Sequence, residues 1–314
     1  MNSKQQERLR LLAVLTLAAI LRMAFPGMSE FKADEARLYT LAYDVVTGES
    51  IPLHGIVSSI GIPNFPLSAW LYALPISLWR HPYSPILFTG FLNTLAVFAC
   101  WWFARRYWGP RTGIISALLF AVSPWAIIFS RKIWAQNLLP IFVLGWAITA
   151  IMTFTTGRRR AALIHGVMLG CVPQIHFSGF VLLPISIVTA LIYHRRVAWG
   201  WLACGVSIAA AAAAPLAFYF GGQHLPSFPA IPISPEVFHI NSLAFTWMLS
   251  TGSDIHALAG NPAYHDFLQT APDMNLVHWV WGGLIAFGCS RMFRASLESE
   301  RLASRFVVAW LGAP

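Results

Sequence analysis

Residues 84–104 have the sequence SPILFTGFLNTLAVFACWWFA, which contains no charged side chain. A helix needs about 20 apolar residues to cross the hydrocarbon core of a bilayer, so this run is long enough to span it. Its apolar residues are continuous, whereas a strand of a transmembrane barrel would alternate apolar and polar residues. The run therefore predicts a transmembrane α-helix.

Similar runs recur along the 314 residues, of which 57% are hydrophobic and only 11% are charged. They predict spans at 9–25, 84–104, 112–129, 138–155, 161–177, 178–193, 198–220 and 277–290, and a ninth that begins near residue 305 and is cut off at the chain end. The four cysteines lie inside these runs without the spacing of a metal site or a disulfide framework. The sequence thus predicts an all-α, polytopic membrane protein.

The distribution of charge predicts the orientation of the spans. With the N-terminus inside, the inner segments hold 15 of the 21 Lys and Arg residues and the outer segments hold five. The net charge of +9 comes from short clusters between apolar runs, which are typical of topology signals and not of a nucleic-acid surface. The long segments 26–83 and 221–276 are then outside, and they hold nine of the twelve carboxylates. We therefore expect any carboxylate chemistry on the outer face.

The first outer segment begins with a strongly acidic stretch, SEFKADEARLYTLAYDVVTGES at 29–50, after which no Asp or Glu occurs before Glu236. Apolar residues recur in it at helical spacing, which predicts an amphipathic helix that stops at Gly48. Asp34 and Glu35 fall in its first turn, where the helix dipole favours anions. Asp34 is thus either a helix-capping acid, with Glu35 as a solvated acid of the first turn, or a general base or cation ligand just above the membrane. Residues 66–80, short and interrupted by proline, predict a second helix at the interface.

Two more polar groups lie at outer ends of predicted spans. Arg131 and Lys132 form the only adjacent basic pair outside, and they are either interfacial anchors beside Trp134 or a clamp for a phosphate. Gln174 and His176 lie at the outer end of the fifth span, where they either serve packing or contact a phosphate or a sugar.

The second outer segment contains acids and histidines close together in the sequence. Asp254, His256, His265 and Asp266 lack the spacing of a recognised zinc site, so no metal is predicted. Phosphate-binding Gly-rich loops and nucleophile elbows are also absent from the sequence.

Four stretches occur together in an informative order: ADEARLYTLAYDVVTGE (33–49), GIPNFPLSAWLYALP (61–75), SPWAIIFSRKIWAQNLLPIF (123–142) and QIHFSGFVLLPI (174–185). They follow a first span that ends in arginine. This order resembles the bacterial PMT-type glycosyltransferases of the GT-C fold, which include protein mannosyltransferases and aminoarabinose transferases. The resemblance is good over about residues 1–195 and loose over 196–314.

The resemblance implies one GT-C transmembrane domain over 1–314, with amphipathic interfacial helices in the first outer loop. It implies an inverting transfer of sugar from a polyprenyl-phosphate donor to a protein, lipid or glycan acceptor, on the outer face of a bacterial inner membrane. Asp34, with Glu35 beside it, matches the catalytic acid of the family. The residues that match donor-phosphate ligands are Arg131, Lys132, Gln174 and His176. No cofactor is predicted, although some relatives use a divalent cation.

Two further expectations complete the sequence analysis. Family members extend beyond 314 residues, and the last predicted span is incomplete, so we expect a C-terminally truncated fragment of a longer protein. The alternative functions are a transporter or flippase for an anionic lipid or a lipid-linked sugar, and a non-catalytic membrane subunit. The predicted spans contain no carboxylate, which weighs against proton-coupled transport.

Overall fold

The computed structural model of the protein describes residues 2–58, 61–222 and 275–293, with the single residues 248, 266, 269, 270, 303 and 304. Most of the predicted outer segment 221–276, including Glu236, Asp254, His256 and His265, lies outside the described residues, as does the predicted ninth span. The chain divides into two compact units, Met1–Val122 with Ile127–Ile231 and Ser123–Ala126 with Pro232–Pro314. The prediction of a single domain over 1–314 stays a prediction.

The described residues form helices and loops, with one isolated β-bridge between Val57 and Pro63. The first unit contains α1 (Ser3–Met23), α2 (Ala33–Thr47), α3 (Leu67–Leu78), α4 (Tyr83–Trp108), α5 (Pro110–Val122), α7 (Leu139–Thr156), α8 (Arg159–Ile175), α9 (Leu182–Ile192) and α10 (Trp199–Gly221). The short helix α6 (Pro124–Phe129) runs from the second unit into the first, and α11 (Asn275–Phe293) belongs to the second. Among the described residues, 3-10 turns lie at Pro26–Met28, Ala135–Leu138, Phe177–Val181 and His194–Arg196.

Three helical segments in the described part of the chain are long and apolar enough to cross a membrane: Tyr83–Trp108, Ala135–Thr156 and Trp199–Gly221. All three match predicted spans. Shorter apolar helices cover Leu67–Leu78, Pro110–Val122, Phe177–Ile192 and Leu276–Gly288.

The predicted span 112–129 is not one continuous helix. Helix α5 ends at Val122, and a new helix begins at Pro124. Proline has no backbone N–H to donate, and its ring clashes with the carbonyl one turn earlier, so it interrupts the helix at this point. The predicted span 178–193 also differs, because its first turn is a 3-10 helix over Phe177–Val181.

The two helices of the predicted first outer segment pack against each other. Leu38 and Ala42 of α2 are fully buried in one apolar cluster with Tyr72 and Ile76 of α3. Gly48 ends α2 in the left-handed region at φ 77°, as predicted from its position after the apolar repeat. The packing of α2 on α3 therefore holds the acidic residues at the start of α2 against the rest of the first unit.

Helices α8 and α10 approach each other closely through glycine. A Cβ on Gly205 would lie 2.1 Å from the carbonyl oxygen of Leu163, and one on Gly166 would lie 2.4 Å from that of Leu202. These distances leave no room for a side chain, so the crossing of the two helices depends on both glycines.

Candidate functional site

The side chain of Lys132 joins the loop before α7 to the start of α2. Its Nζ lies 2.9 Å from Glu35 Oε1 and 2.8 Å from Glu30 Oε2. The same ammonium lies 4.3 Å from the centroid of the Trp134 ring, where a cation is favoured by the ring quadrupole. The structure thus brings Lys132, one member of the predicted basic pair, to Glu35 in the predicted acidic turn.

Glu35 is the anchored carboxylate of this cluster. It is 2% exposed, and its second oxygen, Oε2, accepts the backbone N–H of Lys32 at 3.0 Å. This bond satisfies one of the free N–H groups at the N-terminus of α2. Since both oxygens are engaged, the geometry gives Glu35 the role of orienting Lys132.

Asp34 differs from Glu35 in its exposure and in its contacts. Its side chain is exposed, and it makes no hydrogen bond or ion pair with any residue that the structure describes. A carboxylate in this state can accept a proton from an incoming group without first breaking a bond to the protein.

Glu30 is the second carboxylate on Lys132, and it also pairs with Lys32. Its side chain is 41% exposed, and it lies in the loop before α2 and not in a helix. The hydrogen bonds from Lys132 and Lys32 lower the pKa of Glu30 below its ordinary value. Burial opposes the charge on Lys132, but its pairs with Glu30 and Glu35 outweigh burial and raise the pKa of Lys132.

Arg131 points away from this cluster, although it is adjacent to Lys132 in sequence. Its guanidinium donates to the carbonyl oxygens of Leu21 at 2.8 Å, Ala24 at 2.6 Å and Phe25 at 2.9 Å. These carbonyls lie at the C-terminus of α1, where cations satisfy the unpaired backbone groups and the helix dipole. The role of Arg131 in binding a phosphate stays a prediction, and most of its N–H groups are already engaged.

Arg22 plays the same part for another helix. It is 1% exposed and donates to the carbonyl oxygens of Ala121 at 2.7 Å and Phe120 at 2.8 Å, at the end of α5. The break before Pro124 leaves these carbonyls without helical partners, so the buried guanidinium replaces them.

The hydroxyl of Tyr72 holds the backbone of the loop that carries Lys132. Its hydroxyl accepts the N–H of Trp134 at 3.1 Å, and it lies 3.0 Å from both the Trp134 carbonyl oxygen and Thr89 Oγ1. Asn137 donates from Nδ2 to the carbonyl oxygen of Lys132 at 3.2 Å, and Asn93 donates in turn to the carbonyl of Asn137 at 2.8 Å. Buried polar groups that are mutually satisfied in this way specify one loop conformation.

The sequence analysis missed these three supporting residues. Each is a polar side chain inside an otherwise apolar helix or turn, and that is a signal which points to a buried hydrogen bond. Tyr72 was hidden because aromatic residues are expected at membrane interfaces, and Asn93 because it lies within a predicted transmembrane span.

Gln174 and His176 make their contacts elsewhere. Gln174 is buried and donates from Nε2 to the carbonyl oxygens of Ala209 at 2.7 Å and Gly170 at 2.9 Å. His176 Nδ1 lies 2.9 Å from Ser178 Oγ and accepts the N–H of Ser178. In the described part of the chain, none of these bonds reaches Lys132, so the donor-binding role of both residues stays a prediction. Over the same residues, no group of three or more His, Cys, Asp or Glu side chains is arranged to hold a metal ion.

Comparison with known proteins supports the fold. No family model and no curated protein matches the sequence. Among solved structures, the chain is similar to the crystal structure of ArnT from Cupriavidus metallidurans bound to undecaprenyl phosphate, with a TM-score of 0.55 and 14% sequence identity. The match covers 99% of this chain and 60% of that chain, so this chain spans less than two thirds of the length of that protein. The chain therefore has the all-α, polytopic membrane fold of the GT-C type that its sequence predicted.

Proposed function

We propose that this chain is a membrane glycosyltransferase of the PMT type, which transfers a sugar from a polyprenyl-phosphate donor to an acceptor on the outer face. One observation carries the proposal. Glu35, the neighbour of the predicted base Asp34, pairs directly with Lys132, the predicted phosphate-binding cation. The helical turn that carries the proposed base is therefore joined directly to the proposed phosphate-binding cation. The fold adds support, since the similar ArnT structure is bound to undecaprenyl phosphate.

The transfer is a displacement at the anomeric carbon of the sugar. The acceptor nucleophile attacks this carbon and forms the new bond, while the bond from the carbon to the phosphate oxygen breaks. The electron pair stays with the phosphate, which leaves as polyprenyl phosphate, and the proton of the nucleophile passes to Asp34. Because Asp34 is exposed and unengaged among the described residues, it is suited to take this proton.

Lys132 stabilises the negative charge that develops on the leaving phosphate. Glu35 keeps the ammonium in place because it is buried and part of helix α2. Glu30 is the exchangeable partner, since it is 41% exposed in a loop and keeps Lys32 as a second cation. We therefore infer that the donor phosphate replaces Glu30, and not Glu35, at Lys132.

The surroundings of the site fit a lipid-borne donor. The polyprenyl chain stays in the bilayer, so its phosphate is delivered to the interface, and Lys132 lies just before the membrane-length apolar segment Ala135–Thr156. A nucleotide-sugar donor would call for carboxylates and a metal on the inner face, but the predicted inner loops are basic and nearly free of acid. The acceptor is a protein, lipid or glycan, and we place the protein in a bacterial inner membrane with its N-terminus in the cytoplasm.

The test compares Asp34→Asn with Asp44→Asn, a matched loss of one carboxylate from the same helix. Both variants are purified and incubated with a panel of undecaprenyl-phosphate-linked hexoses and pentoses and with membrane extracts as acceptors. Release of undecaprenyl phosphate and labelling of the acceptor are measured. Asp34→Asn should lower transfer by about 100-fold or more, as expected for loss of a general base, and Asp44→Asn should not. Equal transfer by the two variants would remove Asp34 from the mechanism. Movement of the donor lipid across the bilayer without release of undecaprenyl phosphate would indicate a flippase.

A further inference from the structure

Two turns meet at the end of the bundle that lies away from Lys132. Helix α7 begins shortly after Lys132 and has 18 residues, so its far end is about 27 Å along its axis. Gly157 follows this end with φ 62°, and a Cβ on it would lie 2.7 Å from the carbonyl oxygen of Arg196 in the turn after α9. The chain at 157–160 and the turn His194–Arg196 are thus in direct contact.

Exposed arginine side chains lie on both sides of this contact. Arg158, Arg159 and Arg160 open helix α8, Arg195 lies in the facing turn beside His194, and all of these side chains are exposed. No Asp or Glu occurs anywhere in residues 50–235, so helices α7 to α10 supply no carboxylate to neutralise them. We call Arg158, Arg159, Arg160 and Arg195 the arginine cluster.

Apolar surface and an interfacial aromatic ring border the arginine cluster. Trp199 is 50% exposed, and its Nε1 donates to the carbonyl oxygen of His194 at 3.0 Å, which fixes the ring beside the turn. Ile164 lies one helical turn beyond Arg160 on the same face of α8 and is exposed. Leu191 and Ile192, which are also exposed, end α9 just before the turn. Cations at a helix end followed by apolar surface match the layering of a phospholipid, with its headgroup above its acyl chains.

We propose that the arginine cluster binds the phosphate headgroup of an anionic phospholipid in the leaflet on the N-terminal side of the membrane. Guanidinium groups bind phosphate oxygens in bidentate fashion, and two turns that present them from different helices can hold one headgroup between them. The bordering apolar residues favour a lipid over free phosphate, because they offer a surface to its chains. This binding site goes beyond the proposed sugar transfer and does not depend on it.

Native mass spectrometry of the full chain in detergent tests the proposal, with phosphatidylglycerol, phosphatidylcholine of the same acyl chains, and inorganic phosphate as probes. We expect retention of phosphatidylglycerol only. Each basic residue near an anionic headgroup strengthens binding about fivefold, so Arg158→Gln/Arg195→Gln should weaken phosphatidylglycerol binding about 25-fold. The control Arg8→Gln/Arg10→Gln removes two exposed arginines from α1 of the same unit and should leave it unchanged.

A charge-conserving variant separates a loss of lipid binding from misfolding or inverted insertion of the chain. Arg158→Lys/Arg195→Lys keeps the positive charge that sets topology but loses bidentate binding, and it should bind with intermediate affinity. Equal weakening in the α1 control would show a general effect of charge and overturn the proposal. Unchanged binding in Arg158→Gln/Arg195→Gln, or equal retention of phosphatidylcholine, would overturn it as well.

Discussion

Glu35 Oε1 and Lys132 Nζ lie 2.9 Å apart, with side chains that are 3% and 11% exposed, although they come from segments far apart in the sequence. The pair fastens the first turn of α2 to the loop that precedes α7. The two adjacent acids therefore differ in their surroundings. Glu35 is buried and orients the Lys132 ammonium, whereas the side chain of Asp34 is exposed.

Removal of Lys132 should destabilise the protein. Lys132→Met leaves Glu35 buried without its cation, which costs about 3–5 kcal/mol for a buried pair. Thermal unfolding of the purified chain in detergent measures the loss, with Lys32→Gln as a control, since Lys32 is 74% exposed. Addition of Glu35→Gln to Lys132→Met should restore part of the stability. Equal melting temperatures for Lys132→Met and Lys32→Gln would contradict a structural role of the pair.

Substitution of Glu30 should improve donor binding. Glu30→Gln removes the carboxylate that competes with phosphate for Lys132, and a partly exposed pair is worth up to about 1 kcal/mol, or about fivefold in affinity. Binding of undecaprenyl phosphate is measured without turnover, and Glu49→Gln at the exposed end of α2 serves as the matched control. Weaker binding by Glu30→Gln would show that Glu30 holds the site together. If neither wild type nor variant binds the lipid, the proposed donor is wrong.

The Glu30 pair should respond to acid in a predictable direction. Because the pKa of Glu30 is lowered in the folded protein, its stabilising effect is present above the ordinary carboxyl pKa and is lost as pH falls through the folded value. We expect wild type to be more stable than Glu30→Gln at neutral pH, and the difference to shrink as pH falls below the ordinary carboxyl pKa of about 4.3. Melting temperatures of both proteins from pH 7 to pH 3 check this, and a difference that stays constant would contradict it.

Loss of the Tyr72 hydroxyl should loosen the Lys132 loop. Tyr72→Phe leaves the N–H of Trp134 without its acceptor, at a cost of about 1–3 kcal/mol for an unsatisfied buried group. Hydrogen exchange at this amide should accelerate, and the affinity for undecaprenyl phosphate should fall because Lys132 is less well placed. Tyr39→Phe is the control, since the Tyr39 ring stacks on Tyr43 of α2 and, in the described part of the chain, its hydroxyl makes no hydrogen bond to the loop. Unchanged exchange at Trp134 would show that the hydroxyl is dispensable.

Two glycines of α10 test whether the close crossing of α8 and α10 requires glycine. Gly205→Ala places a methyl group 2.1 Å from the Leu163 carbonyl oxygen, whereas Gly200→Ala meets nothing within 4 Å. We expect Gly205→Ala to lose about 1–3 kcal/mol through overpacking, and Gly200→Ala to be neutral or slightly stabilising. Thermal unfolding distinguishes the two, and equal behaviour would mean that the helices adjust without cost.

The sequence predicted local features of the first outer segment well. The apolar repeat and Gly48 placed the start and end of α2, and the acids at its first turn were singled out before any contact was known. The fold class followed from continuous apolar runs, which have few other stable arrangements in a bilayer. The break at Pro124 could also have been predicted, because proline is a local signal.

Long-range partners could not be predicted in the same way. The sequence grouped Arg131 with Lys132 because they are adjacent, yet their side chains point to different helices, one to carbonyls of α1 and the other to carboxylates of α2. Backbone carbonyls carry no mark in a sequence, so a helix-capping arginine is indistinguishable there from a ligand-binding one. Gln174 illustrates the same limit, since its partner is a carbonyl of α10.

The side chains of Arg131 and Lys132 contact different helices, and this has a mechanical consequence. Two neighbouring residues hold the last turn of α1 and the first turn of α2, so the linker at 24–32 is tethered at both ends to the same dipeptide. Any displacement of that dipeptide, such as one caused by exchange of an anion at Lys132, has to be shared by both helices. If the donor phosphate replaces Glu30 at Lys132 as proposed, the position of α1 is thereby coupled to that exchange.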